Sequence, residues 1–228
     1  MIAIIVAAGS SRRMGFDKLT AELHGAPVVA HSLRAFERCE AVGEIILVAR
    51  EDRLGEFEQL ARQHGISKLA CVLAGGSERH FSVAKGLEAA RSRAGQGEYV
   101  AVHDAARPLI TPAAISACLE TAKSGGGAAA CAAPVADTLK RVDAEGRVAE
   151  SVDRTRLWAM QTPQIFRLSL LLRAYESVLA RGELVTDEVS AVQSLGVRVA
   201  LYQNDEPNFK ITLQRDLHLA RLVLADRA

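Results

Sequence analysis

Arg12, Arg13 and Lys18 follow a run of five small residues, Ala7-Ala8-Gly9-Ser10-Ser11. Side chains this small leave backbone N–H groups open to an anion, and cations just behind them supply charge. That is phosphate-binding chemistry. Paired arginines at a helix start would otherwise be a solvated face, which the positive end of the helix dipole disfavours. An anion in the gap removes that conflict. The spacing matches neither common phosphate loop: Gly9 and Gly15 lack the dinucleotide fingerprint, and no Gly-Lys-Ser/Thr follows.

Asp104 is expected just past a strand end. It is either a turn or capping aspartate or a carboxylate for Mg²⁺, which takes one or two carboxylates plus phosphate oxygens. Gly75-Gly76-Ser77-Glu78-Arg79-His80-Phe81-Ser82 reads as a turn with an N-cap at Ser82, or as a close approach of backbone to a base edge. His103 has an acidic neighbour, yet no Gly-x-Ser-x-Gly elbow accompanies it, which argues against a hydrolase. Lys210 precedes the last helix, and its local sequence does not single it out.

These residues need elements to hold them. Ile2 to Val6 is a short apolar, β-branched run, the pattern of a buried strand. Strands are also expected at 44–48, 69–73, 99–102 and 197–202. Helical stripes fall between them: Val29, Leu33 and Phe36; Phe57, Leu60 and Ala61; Val83, Leu87 and Ala90; Ile115, Leu119 and Ala122. Thr111-Pro112 is an N-cap followed by a first-turn proline. Further helices are expected around Leu171–Leu179, after Thr186-Asp187-Glu188, and at Leu213–Leu224. The rhythm predicts an α/β fold with a doubly wound, mostly parallel sheet. Ligands then sit at the carboxyl ends of the strands, where 7–18, 75–82 and 103–108 all fall.

The rhythm breaks at Thr138 to Val152. Two alternating runs flank Asp143 to Gly146, predicting a solvated β-hairpin that projects as an arm. Trp158 to Phe166 is expected to be irregular.

The 228 residues suffice for one large unit, spanning 1–228, with the arm as an appendage. Hydrophobic content is 49%, ample for a core, and net charge is +1. Neither nucleic acid nor a membrane surface is therefore an expected partner. Four cysteines without metal-ligand spacing read as buried thiols of a reducing compartment. No run reaches spanning length, and the expected location is cytoplasmic.

With these residues in place, a family resemblance is visible. Ala7-Ala-Gly-Ser-Ser-Arg-Arg-Met-Gly15 with Lys18 resembles the signature loop of sugar-nucleotide-type nucleotidyltransferases. Gly75 to Val83, Val102-His-Asp-Ala-Ala-Arg-Pro108, Ala133 to Lys140, Val152-Asp-Arg154, Leu157 to Gln164, Thr186-Asp-Glu188 and Asn208-Phe-Lys-Ile-Thr212 occur in the order found in the 2-C-methyl-D-erythritol 4-phosphate cytidylyltransferases. The resemblance runs from Ile2 to about Ala220. It implies a Rossmann-like nucleotidyltransferase that converts CTP and the methylerythritol phosphate to the CDP-linked alcohol and pyrophosphate, in isoprenoid precursor synthesis.

Carried over by motif, it implies that Arg13, Lys18 and Lys210 are catalytic cations at the triphosphate. Ala7, Ala8, Gly9, Gly76, Ser77, Ser82 and Asp104 would bind nucleotide, and Asp104 would also hold Mg²⁺ or another divalent ion. Arg107 and Thr186 would face the acceptor. Thr138 and Arg154 would reach the partner's substrate in a homodimer formed through an arm at about 134–154. The acceptor phosphate is already a nucleophile, so alignment and charge neutralisation suffice. A ribitol 5-phosphate cytidylyltransferase shares the motif frame. A nucleotide-binding regulator without turnover is a third reading. Two departures from the family pattern are Asp17 before Lys18, in a short loop, and Ser77 where the family often has Asp.

Overall fold

In the computed structural model, which describes residues 1–9, 15–95 and 98–227, the chain begins with β1 (Ile2–Ala7), β2 (Glu22–Leu23), β3 (Ala26–Pro27) and α1 (Val28–Glu37). It continues through β4 (Glu44–Ala49), α2 (Leu54–Gln63), β5 (Leu69–Ala74), α3 (Arg79–Arg91), β6 (Tyr99–Asp104) and α4 (Pro112–Ser124). Then come β7 (Ala128–Pro134), β8 (Leu139–Val142), β9 (Val148–Val152), β10 (Trp158–Arg167), α5 (Leu168–Ala180), α6 (Glu188–Gln193), β11 (Ala200–Gln203) and α7 (Gln214–Ala225).

Seven strands form the central sheet in the order β11-β7-β10-β6-β1-β4-β5. Only β10 runs antiparallel to its neighbours, β6 and β7. The strand β1 has no polar residue because helices cover both its faces. Ala3, Ile5 and Ala7 pack with α1, α2, α4 and α7 on one side. Ile2 and Ile4 pack with α3, α5 and α6 on the other. The doubly wound, mostly parallel sheet expected from the sequence is present.

The strand order reverses at β1: β4 and β5 extend to one side and β6 lies on the other. A crevice therefore opens where β1 and β6 end, at Ala7 and Asp104. Thr111 caps α4 by accepting from the Ala114 N–H, with Pro112 at the first helical position, as its sequence requires. Asp187 caps α6 in the same way, accepting from Ser190.

Three local expectations are corrected, and one strand is added that the sequence reading did not name. Residues 158–166 are not irregular: they form most of the ten-residue strand β10. Strand β7, Ala-Ala-Ala-Cys-Ala-Ala-Pro, carried no strand signal. Alanine has little intrinsic strand preference, so pairing with β10 and β11 on its two edges decides the outcome. Asp104 is the last residue of β6 rather than a residue beyond it. Ser82 is not an N-cap but lies inside α3, which starts at Arg79.

The hairpin β8–β9 forms the expected arm, joined by a turn in which Asp143 N–H donates to the Arg147 carbonyl and Gly146 takes a positive φ of 78°. Its side chains are nearly all exposed. Among the described residues no helix is long and apolar enough to cross a membrane.

Candidate active site

A pocket of about 400 Å³ opens at the β1/β6 switch point. The end of β1 contributes Ala7, Ala8 and Gly9; the 75–82 turn contributes Gly76, Ser77 and Ser82; Lys18, Arg79, Asp104 and Lys210 supply the charges. Three separate stretches singled out in the sequence thus meet on one rim. Arg13, together with Arg12, lies outside the described residues.

The 75–82 turn is held by contact rather than by unusual backbone angles. A Cβ on Gly75 would lie 2.6 Å from the Ala8 Cβ and 2.7 Å from the Ser82 Oγ. A Cβ on Gly76 would lie 2.3 Å from the Phe81 Cβ. All three distances are shorter than real packing allows, so Gly75 lets the turn lie directly on the small-residue loop and Gly76 lets it fold back on Phe81. Ser82 Oγ accepts from the Gly76 N–H at 3.0 Å and donates to the Glu78 carbonyl at 3.2 Å. The serine therefore shapes the turn from inside the helix.

Asp104 is the electrostatic centre. Its Oδ1 accepts from Arg79 Nε at 3.1 Å and its Oδ2 from Lys210 Nζ at 2.8 Å. Arg107 Nε stands 4.0 Å from Oδ2. Burial by itself would raise the Asp104 carboxyl pKa, but Arg79 and Lys210 outweigh it and hold the group well below the usual carboxylate range. Asp104 is thus a fixed anion at the pocket wall.

Residues 208–212 present two of the cations. Lys210 points its ammonium at Asp104. The next carbonyl, that of Ile211, accepts from Lys18 Nζ at 2.8 Å, and the Ile211 N–H donates to Ala106. Asn208 anchors the segment by donating to the Thr162 carbonyl and to Gln161 Oε1. Asp17, the residue out of keeping with the family loop, turns its carboxylate toward Arg53 and accepts the Leu19 N–H. Its charge is engaged on the α2 side.

His103 is fully buried, and burial pushes its pKa down to about 3. Thr162 Oγ1 accepts from the Asp104 N–H, so its own hydrogen goes to His103 Nδ1, and Nε2–H then donates to the Arg107 carbonyl at 3.1 Å. This neutral imidazole is a structural brace. It has neither the access nor the basicity of a general base.

Arg107 donates to the Asn208 and Met160 carbonyls, while its buried Nε has no hydrogen-bond partner. It sits beside Asp104 but does not line the pocket. Thr186 is exposed immediately before the α6 cap. Thr138 and Arg154 flank the arm, where Arg154 donates to the Ala136 carbonyl; neither lines the pocket of its own chain. The fold therefore assembles Ala7, Ala8, Gly9, Lys18, Gly76, Ser77, Ser82, Asp104 and Lys210 on one rim and leaves Arg107, Thr138, Arg154 and Thr186 out of its lining.

Three charged participants escaped sequence reasoning. Arg79 binds both Asp104 and Glu188, and Glu188 is completely buried. Glu78 lines the pocket. For Arg79 a signal existed: a cation in the first turn of a helix opposes the dipole and calls for a nearby anion.

An open α/β sheet with a cation-rich, small-residue pocket at its switch point defines the nucleotidyltransferase class. Residues 1–226 match the family model described as "IspD: 2-C-methyl-D-erythritol 4-phosphate cytidylyltransferase". A 2-C-methyl-D-erythritol 4-phosphate cytidylyltransferase of Bacillus licheniformis is 43% identical over 223 residues, covering 97% of this chain and 94% of that protein. The enzyme of the same name from Geobacillus thermodenitrificans is 40% identical over 227 residues, covering 99% and 97%. The crystal structure of 2-C-methyl-D-erythritol 4-phosphate cytidylyltransferase from Thermus thermophilus superimposes with a TM-score of 0.80 at 30% identity, covering 97% of this chain and 98% of that one. The chain belongs to the 2-C-methyl-D-erythritol 4-phosphate cytidylyltransferase family.

Proposed function

We propose that the switch-point pocket is where this cytidylyltransferase binds CTP and transfers its cytidylyl group to 2-C-methyl-D-erythritol 4-phosphate, releasing pyrophosphate, in the isoprenoid precursor pathway. The activity follows from the family. Its assignment to this pocket rests on one observation: a buried, ionised Asp104 bracketed by Arg79 and Lys210, facing the small-residue end of β1.

The acceptor phosphate attacks as an anion, so no general base is needed, and buried His103 offers none. Backbone at Ala7, Ala8 and Gly9 would cradle the phosphates, and Lys18 and Lys210 would neutralise charge building on the α-phosphate and the leaving pyrophosphate. Arg13 joins them in this reading. Gly76, Ser77 and Ser82 form the wall suited to a cytosine edge; the Ser82 oxygen is engaged with Gly76, so backbone carries much of that recognition. Arg107 and Thr186 would meet the acceptor.

Asp104 fits a divalent ion held partly by substrate. Its two oxygens each accept one hydrogen bond and keep a further lone pair. Mg²⁺ favours such sites, with one carboxylate plus phosphate oxygens. No cluster of three or more metal-ligating side chains occurs among the described residues. When bound, Mg²⁺ supplies charge neutralisation at the triphosphate.

We read the chain as one catalytic unit carrying an arm, acting in the cytoplasm as a homodimer. The support for the dimer is the arm: a lone two-stranded hairpin is marginal in water, and Val142 and Val148 lie 54% and 66% exposed. Docked on a second copy, the arm would bring Thr138 and Arg154 to that copy's acceptor.

Pyrophosphate release with CTP tests the function. It is expected with 2-C-methyl-D-erythritol 4-phosphate. Release only with ribitol 5-phosphate would reassign the acceptor, and release with neither would leave a nucleotide binder.

A further inference from the structure

Arg79 donates three side-chain hydrogen bonds, shared between two carboxylates. Its Nη1 and Nη2 donate to Glu188 Oε1 and Oε2 at 2.6 and 3.0 Å, and its Nε donates to Asp104 Oδ1 at 3.1 Å. Glu188 is completely buried and takes a third hydrogen bond from the Tyr175 hydroxyl at 3.0 Å. Burial opposes charge on Arg79, but Glu188 and Asp104 outweigh it and raise its pKa. One guanidinium thus spans two carboxylates, a task its planar fork performs and a lysine ammonium does not.

The far end of this bridge is also fixed. Glu188 is the first residue of α6, whose cap Asp187 accepts from Gln164 Nε2 at 3.1 Å. Gln164 Oε1 in turn accepts from the Val189 N–H. Gln164 belongs to β10, paired with β6 two residues from Asp104. Asp104, Arg79, Glu188 and β10 therefore form a closed frame around one wall of the pocket.

We infer that Arg79, gripped by Glu188, is a positioning residue that sets the orientation of the Asp104 carboxylate. It occupies Oδ1 and leaves Oδ2 turned to Lys210. The inference rests on the proposed catalytic role of the pocket. Glu188 acts only through Arg79, so the two residues behave as one unit in turnover. A buried pair broken from one side destabilises, whereas replacing both members with apolar residues is often neutral. The double variant therefore separates positioning from folding.

The test compares Glu188→Gln, Arg79→Met, Glu188→Met and the double variant Arg79→Met/Glu188→Met. The readouts are steady-state pyrophosphate release and thermal melting. Support for catalytic groups is worth about 10–100-fold in activity, and kcat is expected to fall by that factor in Glu188→Gln, with the KM for CTP little changed. The double variant should melt above Arg79→Met, which alone leaves Glu188 buried and uncompensated, and lose no more kcat than Arg79→Met. Parent-like kcat in a folded Glu188→Gln, or additive losses in the double variant, would overturn the inference. So would failure of both Glu188→Gln and the double variant to fold, which would assign the pair to structure alone. An inactive parent chain would instead overturn the assignment of the pocket.

Discussion

The switch-point rim and the β8–β9 arm are opposite solutions to holding functional residues. On the rim, Asp104, Arg79, Glu188 and Thr162 are tied by side-chain hydrogen bonds within the chain. On the arm, side chains are exposed and their contacts are local, such as Arg141 with Glu150 and Lys140 with Ser151. A preorganised charge site gains from being buried and rigid, since its dipoles need not reorganise during reaction. An arm with two exposed valines gains nothing inside its own chain, and in the proposed homodimer a second surface would give its residues their role.

That contrast breaks first, if it is wrong, at Lys210. Lys210→Ala should keep its fold and lose about 3 kcal/mol of transition-state stabilisation, by analogy with removal of an oxyanion donor. Near-parent kcat/KM would remove Lys210 from the catalytic set. The same substitution at Lys140 on the arm, whose ammonium donates to Ser151, should leave kcat unchanged.

The rim should next reveal itself through pH. His103 has a folded pKa lowered from 6.5 to about 3 by burial. Between those values the unfolded chain binds more protons, so stability is complete above pH 6.5 and is lost as pH falls toward 3. From this group alone, unfolding free energy at pH 5 should be about 2 kcal/mol below its value at pH 8. Urea denaturation at both pH values checks it, and His103→Gln should flatten the difference. Arm substitutions should leave the slope untouched.

A smaller effect is expected at the base turn. Gly76→Ala places a methyl 2.3 Å from the Phe81 Cβ and should cost about 1 kcal/mol, the lower end of overpacking costs, because a turn can shift. Calorimetric titration should show weakened CTP binding. Unchanged affinity would mean that the turn does not touch the base.

The smallest effect on the single chain should come from the arm. Val142→Asp with Val148→Asp alters side chains 54% and 66% exposed and should shift unfolding free energy by no more than about 0.5 kcal/mol. Sedimentation should nonetheless show a loss of dimer. An unchanged dimer would place the interface elsewhere, and a destabilised monomer would erase the contrast between rim and arm.

Local chemistry made part of this legible in advance. The short, β-branched apolar run at Ile2–Val6 favours a buried strand, and Thr111-Pro112 favours a helix start; both stand as read. The β-α rhythm carried the doubly wound sheet, and the rule that ligands sit at the carboxyl ends of its strands put Ala7, Ala8, Gly9, Lys18, the 75–82 turn and Asp104 on one rim. Asp143 to Gly146 marked the hairpin turn through residues that tolerate its backbone.

The tertiary structure decided the rest, because those outcomes depend on partners distant in sequence. Strand β7 is alanine-rich and extended only because β10 and β11 flank it. Lys210 meets Asp104 across 106 positions, and Arg79 meets Glu188 across 109. No periodicity encodes such pairs. The reading of residues 7–18 as a phosphate loop came from adjacent side chains, whereas the charge of Asp104, the neutrality of His103 and the grip on Arg79 exist only where burial and three-dimensional neighbours create them.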